Sequence, residues 1–292
     1  MAELKIIRMS DIKAEPVEWL WEPYIPSGMI TLIQGDGGEG KTTTSLAISA
    51  AVTVGKALPS GGATQPASVI IQNAEDSYSK KIRPVLEAFG ADCDMIHVID
   101  EGEQALALSD ERIEQTIMRT GAKLLILDPV QAYIGVNMNS AGSVRPVMKK
   151  LGAVAAQTGC AVVLVGHMNK GGGKAAYRGL GSIDIYAAAR SVLTVGRLVN
   201  ADEDMRAIVH NKSNLAPYGP SQSFGLDPAE GFTWMGEYDI GIDELLNTKR
   251  KPETQFSKAR RLIESALASG SAAAVDIFGA PQKARSIERD AR

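Results

Sequence analysis

The chain has 292 residues, 45% of them hydrophobic, and a formal net charge of −3, which suits one large α/β domain with an appendage. It holds no apolar run of the roughly 18 residues needed to cross a bilayer, and "MAELKIIRMSDIK" lacks the apolar centre of a signal peptide, so a cytosolic protein is expected. Charge is uneven: residues 249–292 hold ten Lys/Arg against five Asp/Glu, leaving 21 against 29 in residues 1–248. That basic tail on an acidic body either meets a polyanion or is merely solvated.

In chain order, "VEWLWEPYIPSG" reads as an aromatic clamp at the edge of the core or against a neighbour. Apolar runs of strand length then alternate with helical patterns. The runs are "MITLIQ", "SVIIQN", "MIHVID", "KLLILD" and "AVVLVG", and the helices fall at 42–54, 78–89, 109–121 and 141–158. This alternation predicts repeated βαβ units, and continuous rather than alternating apolar strands predict a parallel sheet covered on both faces. Beyond residue 185 come short strands split by turn residues, "RSVLTVGRL", "MRAIVHN", "QSFGLD" and "GFTWMG", expected to extend the sheet antiparallel. A polar linker, "NTKRKPET", leads to a basic amphipathic helix, "FSKARRLIESALASG". Cys93 and Cys160 show no metal-ligand spacing and read as buried thiols.

The chemistry starts at "GDGGEGKT", residues 35–42, which fits G-x-x-x-x-G-K-[ST] between an apolar strand and a helix. Gly35, Gly37, Gly38 and Gly40 free the backbone to aim its N–H groups at a phosphate. Lys41 reaches the outer phosphates, the Thr42 hydroxyl can ligate Mg²⁺, and Thr43 follows in the first helical turn. ATP or GTP is the expected ligand. A second acid for the metal ends "KLLILD" as Asp128. Past the second strand, "NAED" offers Glu75 or Asp76 to polarise the attacking water; Glu75 is the first choice, since Asp76 is also placed to cap the next helix. His167 ends the fifth strand on the ligand side, where it can sense the terminal phosphate. The loop after it carries Lys170, Lys174 and Arg178 among glycines, suited to phosphate contacts without base reading.

The succession "GDGGEGKTT", "NAED", "LLILDP", "GHMNKGGG…YRGLGSIDIYAAARSVL" and "NKSNLAPYGP" resembles the RecA-like ATPases of the plasmid RepA type, hexameric replicative helicases and their phage-borne relatives, over residues 17–240. The resemblance implies a RecA-like core whose mainly parallel sheet is extended by antiparallel strands, with a short helical C-terminal extension. The expected organisation is an N-terminal segment over 1–28, an ATPase core over 29–246, and a basic linker with a helical extension over 247–292. The resemblance also implies a ring with ATP held between subunits and single-stranded DNA in the channel. By the same resemblance Lys41 and Thr42 are the P-loop pair, Glu75 the catalytic glutamate, Asp128 the Walker B acid and His167 the sensor. Arg190 matches the finger given to the next subunit, and Lys212 a position that reaches across the same interface. Arg145, Lys170, Lys174 and Arg178 match channel-facing loops. Two other readings are an ATPase that binds DNA without unwinding it, and a small-molecule kinase.

Overall fold

The structure, a computed structural model, describes residues 6–61, 65–136, 141–168, 183–198, 204–227 and 231–247. The chain divides into two compact units, Met1–Thr248 and Lys249–Arg292, and all described residues belong to the first. Its strands are β1 (Trp19–Trp21), β2 (Ile25–Pro26), β3 (Ile30–Gly35), β4 (Val69–Asn73), β5 (Ile96–His97), β6 (Leu124–Asp128), β7 (Ala161–His167), β8 (Ser191–Arg197), β9 (Met205–Ser213), β10 (Gln222–Asp227) and β11 (Gly231–Glu237). Its α-helices are α1 (Lys41–Val54), α2 (Arg83–Ala88), α3 (Glu111–Thr120), α4 (Val130–Tyr133), α5 (Ala141–Thr158), α6 (Ile183–Ala188) and α7 (Ile242–Asn247).

Nine strands form one sheet in the order β11-β10-β9-β8-β3-β7-β6-β4-β5, and β1 pairs with β2 as a separate hairpin. From β8 to β5 every pairing is parallel, whereas β9, β10 and β11 are added antiparallel. The fold class read from the sequence therefore holds, with one shift of boundary: β8, grouped with the antiparallel strands, lies parallel to β3.

Alternate residues of the central strands serve two cores. Leu32, Ile70, Leu125, Leu127, Val162, Leu164 and Val192 face α3, α5 and α6, and pack on Ile113, Ile117, Met148, Leu151 and Ile185. Their neighbours Ile33, Val69, Ile71, Leu124, Ile126, Val163, Val165 and Leu193 face α1 and α2, and pack on Leu46, Ile48, Val52 and Leu86. Because side chains alternate across a strand, two dry faces require apolar residues at every position. Burying each of these side chains contributes about 1.5–3 kcal/mol.

The second core also takes in Trp21, Tyr24 and Ile25 of the β1–β2 hairpin. Trp21 Nε1 donates to the Pro59 carbonyl at 2.8 Å, and the Tyr24 hydroxyl donates to the Pro220 carbonyl at 2.6 Å. Cys160 is buried, and burial pushes its thiol up to about 12, but Cys93 is only partly buried, contrary to expectation. No helix among the described residues is long and apolar enough to cross a membrane.

The expected helix over 78–89 is a wide π turn, Tyr78–Ile82, running into α2. Pro84 explains the change, since it has no N–H to give the preceding turn and its ring crowds the carbonyl of Lys80. The strand expected over 95–100 keeps only β5, because Cys93–Met95 is a 3₁₀ turn and only Ile96 and His97 pair with β4.

Candidate nucleotide-binding site

Four neighbouring parallel strands, β3, β7, β6 and β4, end on the same edge of the sheet. Each delivers one part of a cleft. β3 runs into the loop Asp36–Gly40 and then α1, where the first helical bond, Thr44 N–H to the Gly40 carbonyl, is 2.8 Å. Gly38 and Gly40 have φ of 78° and 90°, the left-handed region that glycine adopts without strain. Gly35 is required for another reason: a Cβ there would run into the Val195 carbonyl of β8. The loop thus leads straight into the amino end of α1 at Lys41, a position that favours an anion.

Lys41 is only 4% exposed. Its Nζ donates to the Asp36 carbonyl at 2.7 Å and lies 3.2 Å from His167 Nδ1. Burial pulls the Lys41 pKa down, while Asp128, Asp36, Glu39 and Glu75 oppose the pull. With an ammonium as donor, His167 Nδ1 is the acceptor, which leaves its proton on Nε2. That Nε2 faces Glu75 Oε1 at 3.6 Å. His167 thus lies between the P-loop lysine, which it contacts at hydrogen-bond distance, and Glu75, which is just beyond it.

Glu75 is held by the turn after β4, where Asn73 Oδ1 accepts from the N–H groups of Glu75 and Asp76 at 3.0 and 2.7 Å. Asp76 turns away and pairs with Lys81 at 2.8 Å, while Ser77 caps the following turn by accepting from Lys80 N–H. Of the two acids left open by the sequence, the geometry brings Glu75 into the cleft.

Asp128 is 3% exposed and sits opposite Asn73 in the β4–β6 register. Burial raises its pKa, and a hydrogen bond with the Thr42 side chain works against the rise. Its Oδ2 is buried without a hydrogen-bond partner among the described residues. A buried carboxylate oxygen beside a threonine hydroxyl suits Mg²⁺, which takes one or two protein oxygens and completes its shell with water and phosphate. Among the described residues no three His, Cys, Asp or Glu cluster as a metal cage.

Arg190, Lys212 and Arg145 lie elsewhere. Arg190 precedes β8, and its N–H donates to the Ile30 carbonyl at the opposite end of β3 from the P-loop. One strand length of six or seven residues, roughly 20 Å, separates it from its own phosphate loop. Lys212 Nζ donates to the carbonyls of Tyr186, Ala187 and Ala189 at 2.7, 3.2 and 2.7 Å, closing the carboxyl end of α6 beside Arg190. Arg145 donates twice to Asp184 Oδ1, at 3.0 and 2.9 Å. Arg145, Asp184, Lys149 and Arg190 border an open cavity of about 630 Å³ on this edge. Lys170, Lys174 and Arg178, and the segment from residue 248 on, lie outside the described residues.

Three residues beside the loop went unread in the sequence: Glu39, Arg197 and Arg206. Glu39 occupies a position that the motif leaves free, and its partners are remote in sequence, so no local pattern marks them.

A glycine-rich loop between a central parallel strand and a helix, facing a lysine, a buried strand-end aspartate and a glutamate, defines a RecA-like P-loop ATPase. The chain belongs to the AAA domain family, whose match covers residues 3–173. It is 31% identical over 153 residues to the DNA repair protein RadA of Halalkalibacterium halodurans, 51% of this chain and 30% of that protein, so it spans less than a third of that relative. Its fold is similar to the crystal structure of a KaiC-like protein from Pyrococcus horikoshii OT3, with a TM-score of 0.54 and 19% identity over 75% of this chain and 99% of the other.

Proposed function

We propose that this protein is an ATP-hydrolysing motor on single-stranded DNA, a helicase of the plasmid RepA type with its ATPase core over 29–246. It works as a ring, six-membered by that resemblance. The observation that carries the reading is the division of charged groups between two edges of one sheet. Lys41, Thr42, Asp128, Glu75 and His167 meet at one edge, whereas Arg190 lies a strand length away at the other. An arginine this far from its own phosphates is free of its own site, which supports a role at the phosphates of an adjacent subunit. The likeness to RadA, a protein named for DNA repair, supports DNA as the polymer acted upon.

In this reading the loop amides and Lys41 bind the β- and γ-phosphates, and Glu75, on the turn held by Asn73, accepts a proton from the attacking water. Mg²⁺, held by Thr42 and Asp128, would neutralise charge on the phosphates. Arg190 of a neighbour would meet the charge that spreads over the γ-phosphate oxygens. Lys170, Lys174, Arg178 and Arg145 are the proposed DNA contacts, Arg145 once released from Asp184.

ATP turnover measured with and without single-stranded DNA tests the proposal, and stimulation is expected. Strand displacement from a forked duplex separates a helicase from an ATPase that only binds DNA. Alanine at Lys170, Lys174 and Arg178 should lower the salt slope of DNA binding by roughly 0.7 for each phosphate no longer neutralised. Turnover indifferent to DNA would sink the motor reading and leave a nucleotide-dependent enzyme of another kind.

A further inference from the structure

The half of the phosphate loop that wraps the ligand, Gly37–Gly40, contains three glycines and one side chain, that of Glu39. A Cβ added at Gly37 or Gly38 would meet open space, so no packing holds these residues. Glu39 is the opposite case, buried at 7% exposure beneath the loop. Its Oε2 lies 4.0 Å from Arg197 Nε, an electrostatic contact beyond hydrogen-bond range.

Arg197 is the last residue of β8 and is paired in register with Arg206 of β9. Arg206 is 6% exposed and donates through its NH1 to the Asp204 carbonyl at 2.7 Å. Its Cδ lies 3.4 Å from where a Cβ at Gly40 would be, so it packs directly against the loop. Burial lowers the Arg206 pKa, Arg197 lowers it further, and Glu39 and Asp204 oppose both. Two neighbouring guanidiniums beside a loop repel each other, and the Glu39 carboxylate, with Asp204, offsets that repulsion while Arg197 keeps part of its side chain in water.

We propose that Glu39, Arg197 and Arg206 form an ionic anchor that sets the shape of the phosphate loop, making them positioning residues for the nucleotide rather than groups that touch it. Glycine has the most backbone freedom to lose, and a loop ordered only on binding would subtract that loss from affinity. Pinning the one side chain of the loop to the ends of two strands moves the loss into folding. The amides then face the phosphates before the ligand arrives. The inference rests on the reading of this cleft as an ATP site.

Equilibrium binding of a fluorescent ATP analogue, with steady-state KM and kcat for ATP, tests it on the full-length protein. Glu39→Gln and Arg197→Gln are each expected to weaken binding and raise KM by about tenfold, with kcat changing far less. The double variant should bind about as well as the weaker single variant, because either substitution alone already breaks the ion pair. Arg197→Lys, which keeps the charge, should recover most of the affinity. Effects that add in full, unchanged affinity in both single variants, or a fall in kcat at constant KM would each overturn the anchor. Should Glu39→Gln fail to fold in a thermal melt, the comparison of Arg197→Gln with Arg197→Lys decides alone. If the unaltered protein binds no analogue, the nucleotide reading itself falls; if it binds and the variants bind equally, only the anchor falls.

Discussion

The two edges of the central sheet are built from the same strands but are chemically unlike. At the carboxyl edge, His167 lies between Lys41 and Glu75, and Asp128 is buried beside Thr42, so the acids and the lysine converge on one cleft. At the amino edge, Arg190 and Lys149 are exposed around an open cavity, and Lys212 is tied to α6. The difference teaches that one edge gathers its charged groups inward around a cleft, whereas the other presents Arg190 and Lys149 outward.

The sharpest way to break this comparison is Lys41→Ala, expected to abolish ATP turnover, since the charge that lies over the loop to meet the outer phosphates is gone. A purified variant with full activity would remove the carboxyl edge as the site. Next comes Arg190→Ala, where a drop of roughly 10³–10⁵ in rate is expected if it acts as a finger in trans, and where Arg190→Lys should also be poor because it lacks the planar fork. Mixing Arg190→Ala subunits with Glu75→Gln subunits, after subunit exchange has been demonstrated, should restore part of the turnover. A mixture as inactive as its components would confine Arg190 to its own chain and collapse the distinction between the edges.

Glu75→Gln should retain ATP binding and slow hydrolysis by roughly 10²–10⁴, measured as single-turnover phosphate release, whereas Asp76→Asn, which breaks only the pair with Lys81, should cost much less. A larger effect at Asp76 would reassign the acid. The mildest test is of stability at the amino edge. His210 Nδ1 accepts from Gly219 N–H at 3.1 Å, and its Nε2 lies 3.1 Å from Ser191 Oγ, which donates to the Tyr24 carbonyl at 2.6 Å. Burial holds its pKa down at about 4 against 6.5 for a free imidazole. The unfolded chain therefore binds the proton first as pH falls through 6.5, and folding stability drops by about 2 kcal/mol between pH 7 and pH 5. Urea melts at the two pH values should show this drop, and His210→Gln should flatten it.

Most of the carboxyl edge was legible because its parts are local. "GDGGEGKT" is one contiguous segment, and Asp128, Glu75 and His167 each follow closely on an apolar run. The parallel pairing of β8 was not, although its residues Ser191–Gly196 are all buried and show no polar alternation. Turn residues flank it like the antiparallel strands after it, and its partner β3 is about 160 residues away, where no local pattern can report it. The anchor stayed hidden for the same reason, since Arg197 and Arg206 come near Glu39 only once β8 and β9 are laid beside β3. For Arg190 and Lys212 the sequence indicated roles through resemblance, and the fold adds that they sit together, with Lys212 held by carbonyls of its own chain.

β8 has Arg190 just before its first residue and Arg197 as its last. It is hydrogen-bonded on both sides, to β3 and to β9, and at Gly35 the β3 backbone approaches it too closely to admit even a methyl group. A strand clamped in this way resists stretching and sliding, so Arg190 and Arg197 are held a fixed distance apart. The proposed contact of Arg190 with a neighbour and the proposed anchor under the phosphate loop therefore sit at the two ends of one strand, and a substitution that loosens β8 should disturb both.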